Sequence, residues 1–279
     1  MTREAVAAER NPLAPSMRRS KWLVLSPHLD DAVLSCGGLI SALRNRAHVE
    51  IWTLFSGAPL RGPYSAAAEW LHGVSGGSRG AWLAWRRRRE DRAAASLLGA
   101  QCRHFNFRDA VYRKGADGSF LYAETQAASW HPGDEPLIHS IEKKMKQRLS
   151  ADDVLLVPLA VGGHVDHLIV RQAAENLGHS GVLYFPDIPY VKSHPGELSS
   201  RSSGLLPVHY KLDADNIAEW TSAVHCYATQ LSMLEEAAGG LSDLIRQRAA
   251  GDGLELFVGH HTKLPQIDIW AGQAREPVA

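Results

Sequence analysis

The chain has 279 residues, of which 45% are hydrophobic and 22% are charged, and its 30 Lys and Arg residues balance its 30 Asp and Glu residues. This composition is typical of an ordinary soluble globular protein with a sizeable core. A formal net charge of zero gives no support for a nucleic-acid or membrane-surface partner, and no apolar run approaches the roughly 20 residues of a membrane helix.

The N-terminal segment and the cysteines indicate the compartment and the domain plan. Residues 1–20 lack the apolar centre of a signal peptide and mix charge with Pro and Ser, so we predict a flexible tail there. Residues 21–279 are predicted to form a single domain. Cys36, Cys102 and Cys226 form no C-x-x-C pattern, as is typical of a reducing compartment, and we predict a cytoplasmic location.

Predicted strands and helices alternate along the chain. Apolar runs between turn residues predict strands over 21–26, 48–55, 103–107, 153–158 and 182–185, and another from 254. Apolar spacing and helix-forming composition predict helices over 32–44, 81–98, 135–149, 167–177 and 213–238. Loops are predicted over 56–80, 108–134 and 186–207. This order predicts a three-layer, Rossmann-like α/β fold, with a mostly parallel sheet and helices on both faces.

The first cluster of chemically active residues follows the first predicted strand, in the sequence VLSPHLDDAVLSCGG. In open parallel sheets, ligands bind beyond the carboxyl ends of the strands. A chain that turns there into a helix places His28 and Asp31 one turn apart, where they could share a divalent metal such as zinc. Asp30 would stay free beside them. The alternative is that Asp30 or Asp31 simply caps the helix.

A second cluster follows a later strand, in the sequence VLLVPLAVGGHVDH. His164 and His167 stand three residues apart where a Gly-containing loop enters a helix. Two strand ends therefore place residues of the types that bind metals at one edge of the sheet. Together they offer three metal ligands and two acid/base groups, which favours a functional site over helix caps. The residues alone leave open which of the two histidines is the ligand.

These motifs resemble those of the PIG-L/LmbE-like zinc-dependent N-acetylglucosaminyl deacetylases. SPHLDDAVLSCGG resembles the first family motif, with Leu29 where many members have Pro, and GGHVDH resembles the later H-x-x-H. Residues 87–100 resemble the family's R-x-x-E helix, and Asp109 resembles an Asp after the next strand. The segment HCYATQ resembles a late Tyr-x-Ser-Gln segment, with Thr229 in place of Ser.

The resemblance implies a hydrolase that removes an N-acyl group, expected to be acetyl, from an amino-sugar-containing small molecule or glycoconjugate. It implies three zinc ligands: His28, Asp31 and His167. It implies that Asp30 is the general base, and that a protonated His164 stabilises the negative charge on the carbonyl oxygen. Arg87 and Asp109 are assigned to substrate binding. Another divalent metal such as Fe²⁺, and a homo-oligomeric assembly, stay open.

Other functions fit the sequence less well. A nucleotide-dependent oxidoreductase on the same fold predicts G-x-G-x-x-G after the first strand, whereas the chain offers only Gly37-Gly38 inside the predicted helix, where they would allow close packing. A zinc amidase or esterase acting on a non-sugar conjugate is an open alternative. A non-catalytic metal-binding protein is another, but it has no need for Asp30.

The run of arginines at 86–89 suggests nucleic-acid binding at first sight. We favour a solvated helix face instead, because Trp82, Trp85, Ala93 and Leu97 have helical spacing and are predicted to form the buried stripe of that helix. Arg87 is expected to turn toward the site.

Overall fold

The computed structural model describes residues 21–260 and Thr262. Within them, one sheet has the strand order β3-β2-β1-β4-β5-β7-β6. Its strands are β1 (Lys21–Ser26), β2 (His48–Thr53), β3 (Gln101–His104), β4 (Val154–Pro158), β5 (Val182–Phe185), β6 (Leu205–Tyr210) and β7 (Leu254–Gly259). The strands from β3 to β5 are parallel to their neighbours, and β7 runs antiparallel to both β5 and β6.

The helices between the strands vary from four to eighteen residues. They are α1 (Asp31–Leu43), α2 (Ala66–Val74), α3 (Gly80–Leu97), α4 (Glu135–Lys146), α5 (Val165–Glu175), α6 (Tyr190–Ser193), α7 (Pro195–Arg201), α8 (Ala214–Val224), α9 (Leu231–Ala238) and α10 (Leu241–Ala249). Short 3₁₀ turns lie at 110–112 and 132–134, inside the predicted loop 108–134.

The sheet separates two apolar cores. Alternate residues of β1 point to opposite faces, so Trp22 and Val24 belong to one core and Leu23 and Leu25 to the other. The first core packs against α1, α3, α8, α9 and α10, and the second against α4 and α5. The predicted three-layer α/β class, with a mostly parallel sheet and helices on both faces, is confirmed.

The switch point of the sheet lies between its central strands β1 and β4. The strand order runs from β1 through β2 to β3 on one side of this point, and from β4 to β5 on the other. β1 pairs in parallel with β2 on one side and with β4 on the other. Such a switch point opens a crevice at the carboxyl ends of the strands, where ligands of open α/β sheets bind. The segments that follow β1 and β4 therefore enter the same crevice.

Gly37 and Gly38 allow close packing, as expected, and the helix that they bring close to α1 is α8. A Cβ atom on Gly37 would lie 2.2 Å from Cδ1 of Trp220, far inside van der Waals contact. The indole Nε1 of Trp220 donates to the carbonyl oxygen of Val33, 2.7 Å away. The close approach of the helices thus needs glycine on α1.

The predicted long helix over 213–238 is wrong, because the chain breaks between α8 and α9. Tyr227 is fully buried there, and its hydroxyl donates to Asp91. The Thr229 hydroxyl donates to Glu90 at 2.5 Å. These contacts with α3 hold the chain out of the helical path, although no Gly or Pro marks the break.

Two predicted loops contain regular structure. The segment 56–80 holds α2, whose N-terminus is capped by Ser65, since its hydroxyl accepts the N–H of Ala68. The segment 186–207 holds α6 and α7, and its last three residues begin the edge strand β6. Pro207 is tolerated there because an edge strand leaves one side unpaired.

The predicted buried stripe of α3 is wrong for its two tryptophans and for Ala93, which are all exposed, and Leu97 is only half-buried. Trp82 and Trp85 are 59% and 44% exposed and stack on each other. The face that is buried instead includes Leu83, Arg87 and Asp91. Arg87 and Asp91 can occupy this buried face because both have buried hydrogen-bond partners. The spacing of apolar residues along the sequence does not reveal such partners.

The predicted tail over 1–20 lies outside the described residues, and so does most of the chain after Gly259. The extent of a single domain over 21–279 stays a prediction. None of the helices in the described part of the chain is long and apolar enough to cross a membrane.

Candidate active site

The ends of β1 and β4 place the predicted site residues side by side. His28 follows β1 after Pro27, and Asp31 begins α1. His164 occupies the N-cap position of α5, and His167 lies in its first turn. The ring of His28 lies 4.7 Å from that of His164 and 5.3 Å from that of His167, measured between centroids.

Two glycines allow the loop after β4 to turn sharply before His164. Gly162 and Gly163 have φ angles of +83° and +64°, which suit glycine. A Cβ atom on Gly162 would lie 2.8 Å from Cδ1 of Tyr190, and one on Gly163 would lie 2.9 Å from the carbonyl oxygen of Ala127. The Gly-Gly pair is therefore required by both conformation and space.

The neutral ring of His28 directs a nitrogen lone pair toward Asp31. Its Nε2 lies 2.9 Å from Oδ2 of Asp166, which as a carboxylate can only accept, so a neutral ring that keeps this shorter contact carries its proton on Nε2. Its Nδ1 then faces Oδ2 of Asp31 at 3.2 Å with its lone pair, whereas a charged ring donates to both carboxylates. The carboxylate of Asp31 also accepts the backbone N–H of His28 at 2.7 Å, which fixes its position.

His167 repeats this arrangement from the opposite side. Its Nδ1 lies 2.7 Å from Oδ1 of Asp187, so the neutral ring carries its proton there. Its Nε2 lies 3.3 Å from Oδ2 of Asp31, is buried and has no hydrogen-bond partner. When both rings are neutral, three electron-pair donors thus face one another, and protons or a metal ion would satisfy them.

The electrostatics of this cluster favour positive charge. Burial opposes a charged His28, but Asp109, Asp166 and Asp31 still raise its pKa well above the usual value. Burial likewise opposes a charged His167, but Asp31 raises the pKa of that ring to about 9. For Asp31, burial acts to raise the pKa, and the attraction of His167 outweighs it and holds the pKa well below the ordinary range. The same charges that attract protons here attract a metal ion.

Asp30 occupies the N-cap position of α1 but makes no capping hydrogen bond. Its Oδ2 instead accepts from Nη2 of Arg87 at 3.1 Å, so the capping alternative is wrong for Asp30. Burial raises the pKa of this carboxyl to about 6, against the opposing effect of Arg87. A buried carboxyl with such a pKa suits acid/base chemistry near neutral pH.

His164 differs from the protonated form that the sequence suggested. Its Nδ1 accepts the backbone N–H of Asp166 at 3.2 Å, so the proton of the neutral ring is on Nε2. Burial and the neighbouring His28 lower the pKa of His164 well below its usual value. A neutral His164 can still donate a hydrogen bond from Nε2.

Arg87 and Asp109 both line the cavity beside the histidines. Arg87 is buried and holds Asp30, as described above. Asp109 accepts the N–H of Val111 through Oδ1, and its Oδ2 lies 3.7 Å from Nε2 of His28. Their assignment to substrate binding stays a prediction, since each also contacts a residue of the cluster.

Sequence reasoning missed the carboxylates that orient the two rings. Asp166 lies between the two histidines of the second motif, which was the available signal, and Asp187 follows β5 in a predicted loop. Asp166 also accepts from Arg113, whose Nε donates to Asp134 at 3.0 Å. Nothing in the local sequence around Arg113 indicates this buried ion pair, because its partners lie 21 and 53 residues away.

The cavity beside the cluster has a volume of about 400 Å³ and is lined by both polar and apolar residues. Its polar lining adds Thr125, Gln126 and Gln230 to the residues already described. Its apolar lining includes Leu34, Trp70, Leu71, Met233, Leu234 and Ala237. A mostly apolar concave site with a few convergent polar groups is typical of small-molecule binding.

The late segment that resembles a family motif is joined to the R-x-x-E helix. Glu90 accepts both the backbone N–H and the hydroxyl of Thr229, at 3.1 and 2.5 Å. The side-chain Nε2 of Gln230 donates to Ser75 and to the carbonyl oxygen of Thr229. These bonds hold Gln230 at the cavity wall.

Comparisons with known proteins agree with this geometry. The sequence profile described as PIG-L, GlcNAc-PI de-N-acetylase, matches residues 23–177, more than half of the chain. A 2'-N-acetylparomamine deacetylase of Streptomyces fradiae is 31% identical over 196 residues, which are 68% of this chain and 64% of that protein. The chain thus spans just under two thirds of that relative.

Two further comparisons reach the same family. A 2'-N-acetylparomamine deacetylase of Niallia circulans is 27% identical over 188 residues, covering 62% of this chain and 68% of that protein. The crystal structure of a zinc-inhibited form of teicoplanin deacetylase superposes with a TM-score of 0.73 at 27% identity, covering 85% of this chain and 97% of that one. By its profile match, its fold and its paired motifs, the chain belongs to the PIG-L family of GlcNAc-PI de-N-acetylases.

Proposed function

We propose that this protein is a divalent-metal-dependent hydrolase that removes an N-acetyl group from an amino-sugar-containing small molecule or glycoconjugate. One observation carries the proposal: His28, Asp31 and His167 converge as electron-pair donors, and Asp30 stands beside them without being needed as a ligand. The family description and the names of the similar proteins support the same reaction, since all describe removal of an acyl group from nitrogen or a deacetylase.

We propose zinc as the cation held by His28, Asp31 and His167. Two imidazoles and one carboxylate form a donor set typical of catalytic zinc. A bound divalent cation supplies Lewis acidity to an acyl carbonyl and to water, whose pKa it lowers toward about 7. Fe²⁺ is the second candidate, because the similar teicoplanin deacetylase is described in a form that zinc inhibits.

Asp30 would act first as base and then as acid. It takes a proton from water as the water oxygen attacks the acyl carbon, and it returns that proton to the nitrogen as the C–N bond breaks. The products are a free amine and acetate. Arg87 holds Oδ2 of Asp30, which keeps the carboxylate in one orientation through both transfers.

His164 would stabilise the charge that develops on the carbonyl oxygen. Its neutral ring is oriented by the N–H of Asp166 and offers the Nε2 proton to that oxygen. Loss of one such donor typically lowers the rate roughly a hundred- to a thousandfold. Arg87 and Asp109 border the same space and would contact the sugar.

A cytoplasmic location and a homo-oligomeric assembly stay predictions. The three cysteines are free thiols, as is typical of proteins in a reducing compartment.

The test is acetate release after metal exchange. The purified protein is stripped with a chelator and supplied separately with Zn²⁺, Fe²⁺, Co²⁺ or Mg²⁺, and acetate is measured from N-acetylglucosamine glycosides and N-acetylated aminoglycosides. We expect acetate only with a transition metal. A protein that binds the metal but releases no acid from any of these amides would instead be a non-catalytic metal-binding member of the fold. Acetate release that survives complete chelation would contradict the proposal.

A further inference from the structure

We infer that the cavity binds an apolar aglycone attached to the amino sugar, on a surface that we call the apolar wall. The apolar wall consists of Trp70 and Leu71 from α2 and Met233, Leu234 and Ala237 from α9. The inference rests on the proposed deacetylation and names the class of substrate: an amphipathic glycoside rather than a small polyhydroxylated sugar.

The apolar wall and the acid/base residues face one cavity. Residues that follow β1 and β4 are among its polar lining, and α2 and α9 contribute the wall. The volume of about 400 Å³ lies within the range of roughly 300–1,000 Å³ for small-molecule sites. A substrate that fills this space therefore touches both kinds of lining.

Trp70 is the residue of the apolar wall for which contact with a ligand would bring the largest gain in free energy. Its side chain is 60% exposed although it lines a concave site, whereas Ala68 of the same helix is fully buried against the protein. Leaving an indole in water forgoes the free energy of burying a large apolar surface, and aromatic side chains in such positions commonly contact ligands. An apolar group bound beside Trp70 would recover that free energy.

The two halves of the wall are joined by a hydrogen bond. Nε2 of Gln230, just before α9, donates to Oγ of Ser75, just after α2, at 2.7 Å. Both residues are buried, at 1% exposed each. Gln230 is held in turn by its bond to the carbonyl oxygen of Thr229. The wall is thus a fixed part of the cavity.

The chemistry of the proposed substrate decides what occupies the wall. An acetyl group has a single methyl, and the hydroxyls of a sugar prefer the polar lining with its carboxylates and amides. Neither covers the exposed parts of the wall, which belong to Trp70, Met233 and Ala237. The remaining part of the substrate, the aglycone, is left for the wall, and an alkyl or aryl group matches it.

The experiment compares two N-acetylglucosaminides that differ only in the aglycone, a methyl and an octyl glycoside, both below the micelle concentration. The measured quantity is the ratio of their kcat/KM values. Wild-type enzyme should prefer the octyl glycoside about tenfold or more, and Trp70→Ala should bring the ratio close to one. Ala237→Glu, which adds charge to the wall from an exposed position, should do the same and does not depend on removing a large side chain.

Trp82 provides a matched control. It is 59% exposed, almost the same as Trp70, but it stacks on Trp85 and does not line the cavity. Trp82→Ala should keep the wild-type ratio. A wild-type ratio near one, or an equal loss in Trp70→Ala and Trp82→Ala, would overturn the inference. So would a preference that follows an N-octanoyl chain on the methyl glycoside, because the wall would then bind the acyl group.

A binding measurement separates this inference from the proposed function. Calorimetry of the metal-loaded Asp30→Asn protein with both glycosides needs no hydrolysis. Tighter binding of the octyl glycoside, abolished by adding Trp70→Ala, supports the wall even if wild-type enzyme releases no acetate. Equal binding of both glycosides, with wild-type enzyme active, rejects the wall and leaves the proposed function intact.

Discussion

The buried Nε2 atom of His167 lies 3.3 Å from Oδ2 of Asp31, and no hydrogen bond satisfies that nitrogen. In the neutral ring, the bond of Asp187 to Nδ1 places the proton on that nitrogen, far from Asp31. Two electron-pair donors then face each other and attract a cation, either a proton or a metal ion. For this reason, although burial opposes it, Asp31 raises the pKa of His167 to about 9. A carboxylate 20 residues away from the histidine therefore prepares it as a ligand.

Asp187→Asn should weaken metal binding by about 10- to 100-fold. An asparagine amide can donate to Nδ1, which would move the ring proton to Nε2 and block the lone pair. Competition against a chromophoric chelator measures the affinity. Asp152→Asn, at an exposed position, should keep the wild-type affinity, and an unchanged affinity in Asp187→Asn would contradict this role.

Arg113→Met should lower the free energy of unfolding by about 3–5 kcal/mol, because it leaves Asp166 and Asp134 buried without their shared cation. Urea denaturation measures this loss. Arg246→Met breaks an exposed pair with Asp243 and should hardly move the denaturation midpoint. Similar midpoints for the two variants would show that the buried network is not needed for stability.

Two glycine substitutions should have opposite signs. Gly37→Ala should destabilise the protein by about 1–3 kcal/mol, since its Cβ would collide with Trp220. Gly73→Ala should stabilise it by about 0.5–1 kcal/mol, because no atom lies within 4 Å of that Cβ and alanine favours the helix. Thermal or urea unfolding of both variants checks the pair, and an unchanged or raised stability of Gly37→Ala would contradict the packing of α1 on α8.

Thr229→Val should lower the free energy of unfolding by about 1–3 kcal/mol, since it removes the hydroxyl that donates to the Glu90 carboxylate. Thr229→Ser keeps that hydroxyl and should be close to neutral. Urea denaturation distinguishes the two variants. Equal stability of the serine and valine variants would mean that this bond does not hold the segment between α8 and α9.

The parts of the fold and site that the sequence predicts are local. The strand ends before His28 and His164 are visible because a buried strand, a turn and metal-type residues follow one another within about fifteen positions. The central strands, most helices and the meeting of the two motifs follow from that pattern and from parallel-sheet topology.

The parts that the sequence does not predict depend on distant partners. The break after α8 is held by Asp91 and Glu90, which lie more than 130 residues earlier. The burial of Arg87 rather than Trp82 on α3 depends on Asp30, 57 residues away. Periodicity treats a charged residue as exposed, so it fails where a charge is paired inside the protein.

The central claim is that the cation and Asp30 perform separate tasks, and metal content measured together with the initial rate of acetate release tests it most directly. Wild-type protein should hold one divalent ion per chain and release acetate. Asp30→Asn should keep the ion and lose about 10²- to 10⁴-fold in rate, while His167→Ala should lose both ion and activity. An Asp30→Asn enzyme with undiminished rate, or an active His167→Ala protein free of metal, would contradict the account.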